Sequence, residues 1–408
     1  MDIEQWLLVI ALVLLVACAV IGGFVLRELR RLRILRAAQL AAYAPDLAVI
    51  HDDSPASPPP PLLAFIANPS KSHVAALRSP LLARCAAEGL PEPLWLETTV
   101  EDPGTGQAAD AVARGADIVV ALGGDGTVRA VATHMVTTDV PMGIIPLGTG
   151  NLLARNLDIP ISSLDAAFDI ILDGTSRKID VGWLQVTEPD NRQLLKLQQT
   201  ARSARRPATR ARAQARLDAG EARPATTDKH LFLVISGVGF DAAMIADADA
   251  TLKEKVGWIA YFVAGMRHLH GSRLNARITL DGQRFQTQLR TLLIGNCGKL
   301  PGGITLLPDA VIDDGIHDVA AIDTRGGIAG WVQLFSEVVL QGWGMSNSAP
   351  AKVGRIDHTQ ARHVDITILE GTQAQVDGDI VGRAKSVRTW VDPKALTVRT
   401  PVPTLGTR

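Results

Sequence analysis

Between Ala116 and Met135 the chain reads ADIVVAL, then GGDGT, then VRAVATHM. An apolar run of strand length meets a glycine-rich turn, and a helix-forming segment follows at once. From Pro141 the pattern returns as PMGIIPL, GTGN and LLARNL. Neither apolar run alternates regularly with polar residues, the mark of strands covered on both faces, as in parallel sheets flanked by helices. Upstream, LLAFIAN ends at an Asn68-Pro69-Ser70 turn. A helix is predicted around 73–88, a strand near 93–98 and a helix near 106–114. This alternation predicts a mainly parallel α/β domain whose ligands sit at the carboxyl ends of its strands.

From KIDVGWLQV onward the signals change. Short stretches rich in β-branched residues dominate: HLFLVISGVG, ARITLDGQRF, QLRTLLIGN, HDVAAID, HVDITIL, SVRTWV and LTVRT. They predict a mostly antiparallel β domain, interrupted by helices near 244–270 and 326–341. Asp281-Gly282 reads as a hairpin turn.

The glycine turns carry the first chemical signal. Gly123, Gly124 and Gly126 can bring bare backbone N–H groups close to a ligand, and the helix beginning near Thr127 adds the positive end of its dipole. Such a cradle suits phosphate, yet Asp125 places a negative charge inside it. The two agree if a cation lies between acid and phosphate, or if the acid faces a hydroxyl. Both arrangements occur in phosphoryl transfer. The plainer reading is a surface turn whose aspartate caps the helix. The second turn, PLGTGN, ends the neighbouring strand, and two such turns build one pocket. No lysine follows the glycines, which excludes a Walker loop. GTGQAA and GTGNLL match a dinucleotide loop only in part.

Composition narrows the classes. With 47% hydrophobic residues and a net charge of -1 the chain is globular. Aromatics at 4% leave little for base stacking, so no nucleic-acid partner is expected. Cys18, Cys85 and Cys297 form no CxxC pair, which argues for a reducing compartment and against a disulfide framework or a zinc site. Near the N-terminus, Trp6 to Leu26 carries no charge and is long enough to cross a bilayer; Arg27, Arg30, Arg31, Arg33 and Arg36 follow it. The acidic start and the length argue against a cleaved signal peptide, and the continued apolar run argues against reading LVAC as a lipobox. The arginines then predict a single-pass anchor in the inner membrane with the remainder cytoplasmic.

The expected organisation is an anchor and basic segment at 1–36, a proline-rich linker at 37–61, an α/β domain at 62–178 and a β-rich domain at 179–402. A basic insert at 187–229 holds ten Lys/Arg against five acids and few large apolar residues. It reads as a disordered arm on a long hairpin loop.

Taken together, GGDGTVRAVA and IIPLGTGNLLARNL resemble the diacylglycerol kinase catalytic-domain family in its bacterial lipid-kinase form. The likeness continues in order through ANPSKS, ETTVEDPG, ISGVGFDA, LIGNCGKLPGG, LPDAVIDDGIHDV and QVDGDIVG, from about Leu62 to Val402 without the insert. The resemblance implies an ATP-dependent lipid kinase whose partners are a membrane lipid substrate and the bilayer; a homo-oligomer is compatible with it. Asn68, Thr99, Gly123, Gly124, Asp125, Gly126, Thr127 and Thr149 would then line the nucleotide site between the two domains. Asp314 would bind a structural Mg2+ with carbonyls near Val311 and Ile316, and Asp379 would be the general base. Two departures stand out: Lys71-Ser72 follow the Asn-Pro turn where many relatives have Ser-Gly, and Asp379 stands where Glu is common. An NAD kinase shares GGDGT, but its family carries an Asn-Glu pair that this chain lacks. A non-catalytic nucleotide-binding membrane protein is the remaining alternative. The acids of DDGIHD and DGD could also close β-turns. His317 reads as a solvated histidine, His134 as a packing residue and Cys297 as an inert thiol.

Overall fold

A computed structural model describes residues 59–70, 74–218, 224–239, 273–300, 304–324 and 354–403. The α/β half contains β1 (Leu63–Ala67), α1 (Val74–Ala87), β2 (Leu94–Glu97), α2 (Thr105–Ala113), β3 (Ile118–Gly123), α3 (Asp125–Met135), β4 (Met142–Pro146), α4 (Leu152–Asn156) and α5 (Leu164–Asp173). Its strands lie in the order β2-β1-β3-β4, all parallel.

The strand period explains the layers. In β1, Leu63, Phe65 and Ala67 face one way and pack with Leu81 and Cys85 of α1 and Phe168 and Ile171 of α5. Ala64 and Ile66 face the other way, toward Ala108 and Ala111 of α2 and Val128 and Val131 of α3. Each fully buried aliphatic or phenyl side chain stabilises the fold by about 1.5–3 kcal/mol. Helices therefore cover both faces, as the unalternating strands require.

The β half contributes β5 (Thr175–Pro189), β6 (Lys229–Phe232), β7 (Ile235–Val238), β8 (Leu274–Leu280), β9 (Gln283–Leu289), β10 (Thr291–Gly295), a small β11–β12 pair (Lys299–Leu300 and Ile304–Thr305), β13 (His317–Thr324), β14 (Gly354–Ala361), β15 (His363–Val376) and β16 (Asp379–Thr400). Apart from one parallel pairing of Val398 with Met142, its strands pair antiparallel. The long β16 belongs to both halves, because it continues the sheet from β15 to β4. Asp281 and Gly282 take positive φ and join β8 to β9, as the turn reading expects. The expected helices near 244–270 and 326–341 lie outside the described residues.

The insert differs from expectation. Strand β5 runs on to Pro189, and two helices follow, α6 (Arg192–Ser203) and α7 (Pro207–Asp218). The disordered arm is thus corrected to a helical hairpin. Leu197 and Ala213 form its small core, with Leu194, Ala201 and Leu217 beside them. Charge on the outer faces hid this narrow apolar stripe in the composition. At its base β5 pairs antiparallel with β6, so the insert does sit on a strand hairpin.

The expected transmembrane helix, Trp6–Leu26, lies outside the described residues. Among the described residues no helix is long and apolar enough to cross a membrane. The single-pass inner-membrane placement is corrected on that finding.

Candidate active site

The carboxyl ends of β1, β2, β3 and β4 converge, and the two glycine turns touch there. A Cβ on Gly148 would lie 2.7 Å from Gly124 Cα, so the two backbones pass at a distance only glycine allows. Gly123 is equally confined, since a Cβ there would stand 2.7 Å from Thr127 Oγ1. The Leu147 N–H donates to the Gly123 carbonyl at 2.9 Å and links the turns further.

The outer rim comes from β1 and β2. Asn68 Nδ2 donates to Thr127 Oγ1 at 3.3 Å, while Asn68 Oδ1 accepts from the Ser70 N–H and hydroxyl. Thr99 Oγ1 accepts the Asp102 N–H at 3.0 Å, and Asp102 in turn accepts the N–H groups of Gly104 and Gly106. Thr149 is exposed on the second turn. The expected nucleotide-site residues therefore gather at neighbouring strand ends. The glycines leave the space that a phosphate chain needs, and α3 presents its N-terminus there.

Asp125 has a structural part in the site. Its carboxylate accepts the N–H groups of Asn151 at 2.9 Å and Leu152 at 2.6 Å. Both oxygens are thereby engaged at the start of α4, and a Cβ on Gly150 would lie 2.7 Å from one of them. Asp125 thereby braces one glycine turn against the other. It does not cap its own helix, because Gly124 holds that position without a side-chain bond. Burial pushes its carboxyl above the ordinary range, opposed by these backbone hydrogen bonds. Asn151 completes the brace. In the left-handed region at φ 48, it accepts the Gly148 N–H at 2.8 Å and donates to the Gly148 carbonyl at 2.7 Å.

Asp379 opens β16 beside the same turn. The space that a Cβ on Gly126 would enter ends at Asp379 Oδ2, 3.9 Å away. Arg129, one turn along α3, donates Nη1 to the Val376 carbonyl at 2.7 Å and pairs with Asp379 through Nη2. Asp377 and Gly378 form the positive-φ turn that joins β15 to β16, which bears out the turn reading for the first DGD acid. Asp377 is half-buried and accepts N–H groups from Leu233, Val234 and Ile235 at 2.9–3.0 Å. Burial pushes its carboxyl up, against the pull of Arg129 and these donors. Sequence reasoning missed Arg129 and Asn151. The one usable signal was an arginine on the otherwise apolar face of TVRAVA.

The third expected acid lies apart from Asp379, in the turn before β13. Asp314 Oδ1 accepts the Ile316 N–H at 3.0 Å. Burial and then the nearby negative charges of Asp180 and Asp313 push its carboxyl up, an environment that a cation would relieve. Asp180 is buried and holds the turn by accepting the Gly315 and Lys394 N–H groups at 2.6 and 2.7 Å. The carboxylate chemistry thus fits a hard divalent ion. Among the described residues no group of three metal-ligating side chains forms, so backbone carbonyls would supply the other donors. His317 differs from expectation. It is buried with its ring 5.2 Å from Phe232, and neither nitrogen finds a partner. Cys297 is buried, and desolvation holds its thiol protonated, as an inert reading requires.

Two family matches correspond to these halves: the diacylglycerol kinase catalytic domain over residues 63–184, and the YegS C-terminal NAD kinase beta sandwich-like domain over 234–400. The chain is 25% identical over 288 residues to a diacylglycerol kinase of Bacillus subtilis, covering 70% of this chain and 78% of that one. It is 28% identical over 275 residues to one from Mycobacterium tuberculosis, covering 66% and 73%. A crystal structure of a diacylglycerol kinase from Bacillus anthracis superposes with a TM-score of 0.56 at 20% identity, over 83% of this chain and 96% of that one, a likeness of fold. With both halves matched in order around one glycine-turn site, the chain is similar throughout to the diacylglycerol kinase catalytic-domain family, and these relatives support an ATP-dependent lipid kinase.

Proposed function

We propose that the enzyme transfers the γ-phosphoryl group of MgATP to the hydroxyl of diacylglycerol, giving phosphatidate. The observation that carries this reading is the approach of Asp379 to Gly126, which sets an acid beside the phosphate cradle. The glycine turns offer N–H groups to the phosphates, where preorganised donors stabilise charge that grows in the transition state. Asn68, Thr99 and Thr149 line the nucleotide side. Asp125 acts through the backbone it braces. Asp379 accepts the proton of the acceptor hydroxyl, and Arg129 aims it. Mg2+ would supply charge neutralisation on the phosphates and, at Asp314 with the carbonyls of Val311 and Ile316, rigidity in the turn before β13.

The test is an assay with labelled ATP and a mixed lipid extract, with the product identified by mass. Labelled phosphatidate is expected. Labelled NADP from added NAD, with no labelled lipid, would favour the NAD kinase reading, to which the description of the C-terminal domain points.

A further inference from the structure

A second concavity lies between the helical hairpin and the β half. It encloses about 650 Å³, within the range of small-molecule sites. Its basic walls come from Arg192 and Lys196 of α6, Arg212 and Arg216 of α7, and Arg383 of β16. Five cations face two carboxylates, Asp190 and Glu370, which leaves an excess of three positive charges. Both carboxylates are already committed. Asp190 is buried between Arg192 and Arg383, and Glu370 accepts from Asn275 Nδ2 at 2.8 Å. Among the described residues, Lys196 and Arg212 have no ion pair.

The spacing sharpens the point. Arg192 with Lys196, and Arg212 with Arg216, are each four residues apart on a helix, so like charges stand side by side. Such pairs destabilise a helix. A surface that served solubility would spread them over convex faces. Here both stripes line one hollow, floored by Leu197 and Ala213, with the Thr209 hydroxyl among its lining groups.

We propose that this cleft binds a phosphate-bearing anion, at a site separate from the glycine turns. Guanidinium forks bind phosphate oxygens in pairs, and the ammonium of Lys196 adds a point charge. The volume accommodates a phosphorylated headgroup rather than a bare ion. Arg383 couples the site to chemistry, because it lies on β16, the strand that Asp379 begins, and its carbonyl accepts the Asp190 N–H at 3.0 Å. An occupant would tie the hairpin to that strand.

The experiment uses the full chain with its nucleotide site saturated by a non-hydrolysable ATP analogue. Inorganic phosphate and glycerol 3-phosphate are titrated by calorimetry, and flotation is compared on phosphatidylcholine vesicles with and without phosphatidylglycerol. Lys196→Gln combined with Arg212→Gln should weaken the anion response by about tenfold or more, with affinity for the ATP analogue unchanged. Binding of the soluble esters that the variant loses assigns a free phosphorylated ligand. A phosphatidylglycerol-dependent flotation that the variant loses, without soluble binding, assigns a lipid headgroup. Lys196→Arg with Arg212→Lys keeps the charge and should retain binding. The proposal is overturned if wild type binds neither probe, if the Gln variant binds as wild type does, or if the charge-keeping variant loses binding equally.

Discussion

Arg129, on the helix that leaves the first glycine turn, is ion-paired with Asp379 at the start of β16. Its guanidinium is largely covered, and its second nitrogen is held by the Val376 carbonyl, so the pair is a fixed bridge between the phosphate cradle and the β half. A surface ion pair contributes little to stability. The consequence of this one is positional, since it orients the acid proposed to meet the acceptor hydroxyl.

Replacing Asp379 by Asn should lower kcat by about 10²–10⁴ through loss of a general base. Affinity for ATP should hardly change, because the acid is proposed to face the acceptor. Steady-state kinetics on the lipid check this, and wild-type kcat in the variant would remove Asp379 from the reaction.

Arg129→Lys should retain charge but lose the fork that grips Val376 and Asp379 together. A small misplacement of a reacting group can slow a reaction by about 10²-fold. We therefore expect kcat to fall by about ten- to a hundredfold with KM for ATP preserved. A rise in KM for ATP at unchanged kcat would mean that Arg129 serves the nucleotide instead.

The glycine turns predict a contrast in binding. Gly148→Ala drives a methyl into Gly124 Cα and should abolish nucleotide binding. Asp125→Asn leaves one of the two N–H groups at the start of α4 facing an amide, which costs about 1–3 kcal/mol. Because the brace shapes the cradle, affinity and turnover should both drop. Calorimetry with MgATP decides this; intact affinity in Asp125→Asn would separate the brace from the site.

His317 makes stability depend on pH. Burial lowers its pKa from 6.5 to about 3. Below 6.5 the unfolded chain takes up a proton that the folded protein refuses until about 3. The unfolded state then binds more protons, so stability falls as pH drops through that window, by up to about 1.4 kcal/mol per pH unit for this one group. Urea unfolding at several pH values should show a shallower acid decline in His317→Leu than in wild type. Equal slopes would assign the acid sensitivity to other groups.

Much of this protein is legible in its amino-acid order, because strand, turn and helix are local events. The apolar runs before GGDGT and GTGN specify buried parallel strands, and glycines mark where backbone must meet ligand or backbone. The gathering of Asn68, Thr99, the first turn and Thr149 followed from their places at strand ends, since a parallel sheet brings those ends together. What Asp125 touches was not legible, since its partners at Asn151 and Leu152 belong to the next strand–helix unit. The Arg129–Asp379 bridge joins residues far apart in the chain, and no local signal couples them. The insert was misread for the opposite reason: its composition is that of a disordered segment, and only packing shows that Leu197 and Ala213 suffice to hold two helices together. Sequence determined the elements and the chemistry they can carry. The tertiary structure decided which charge faces which, because electrostatic partners are set by proximity in space, and a chain's order leaves that undetermined until the sheet closes around β16.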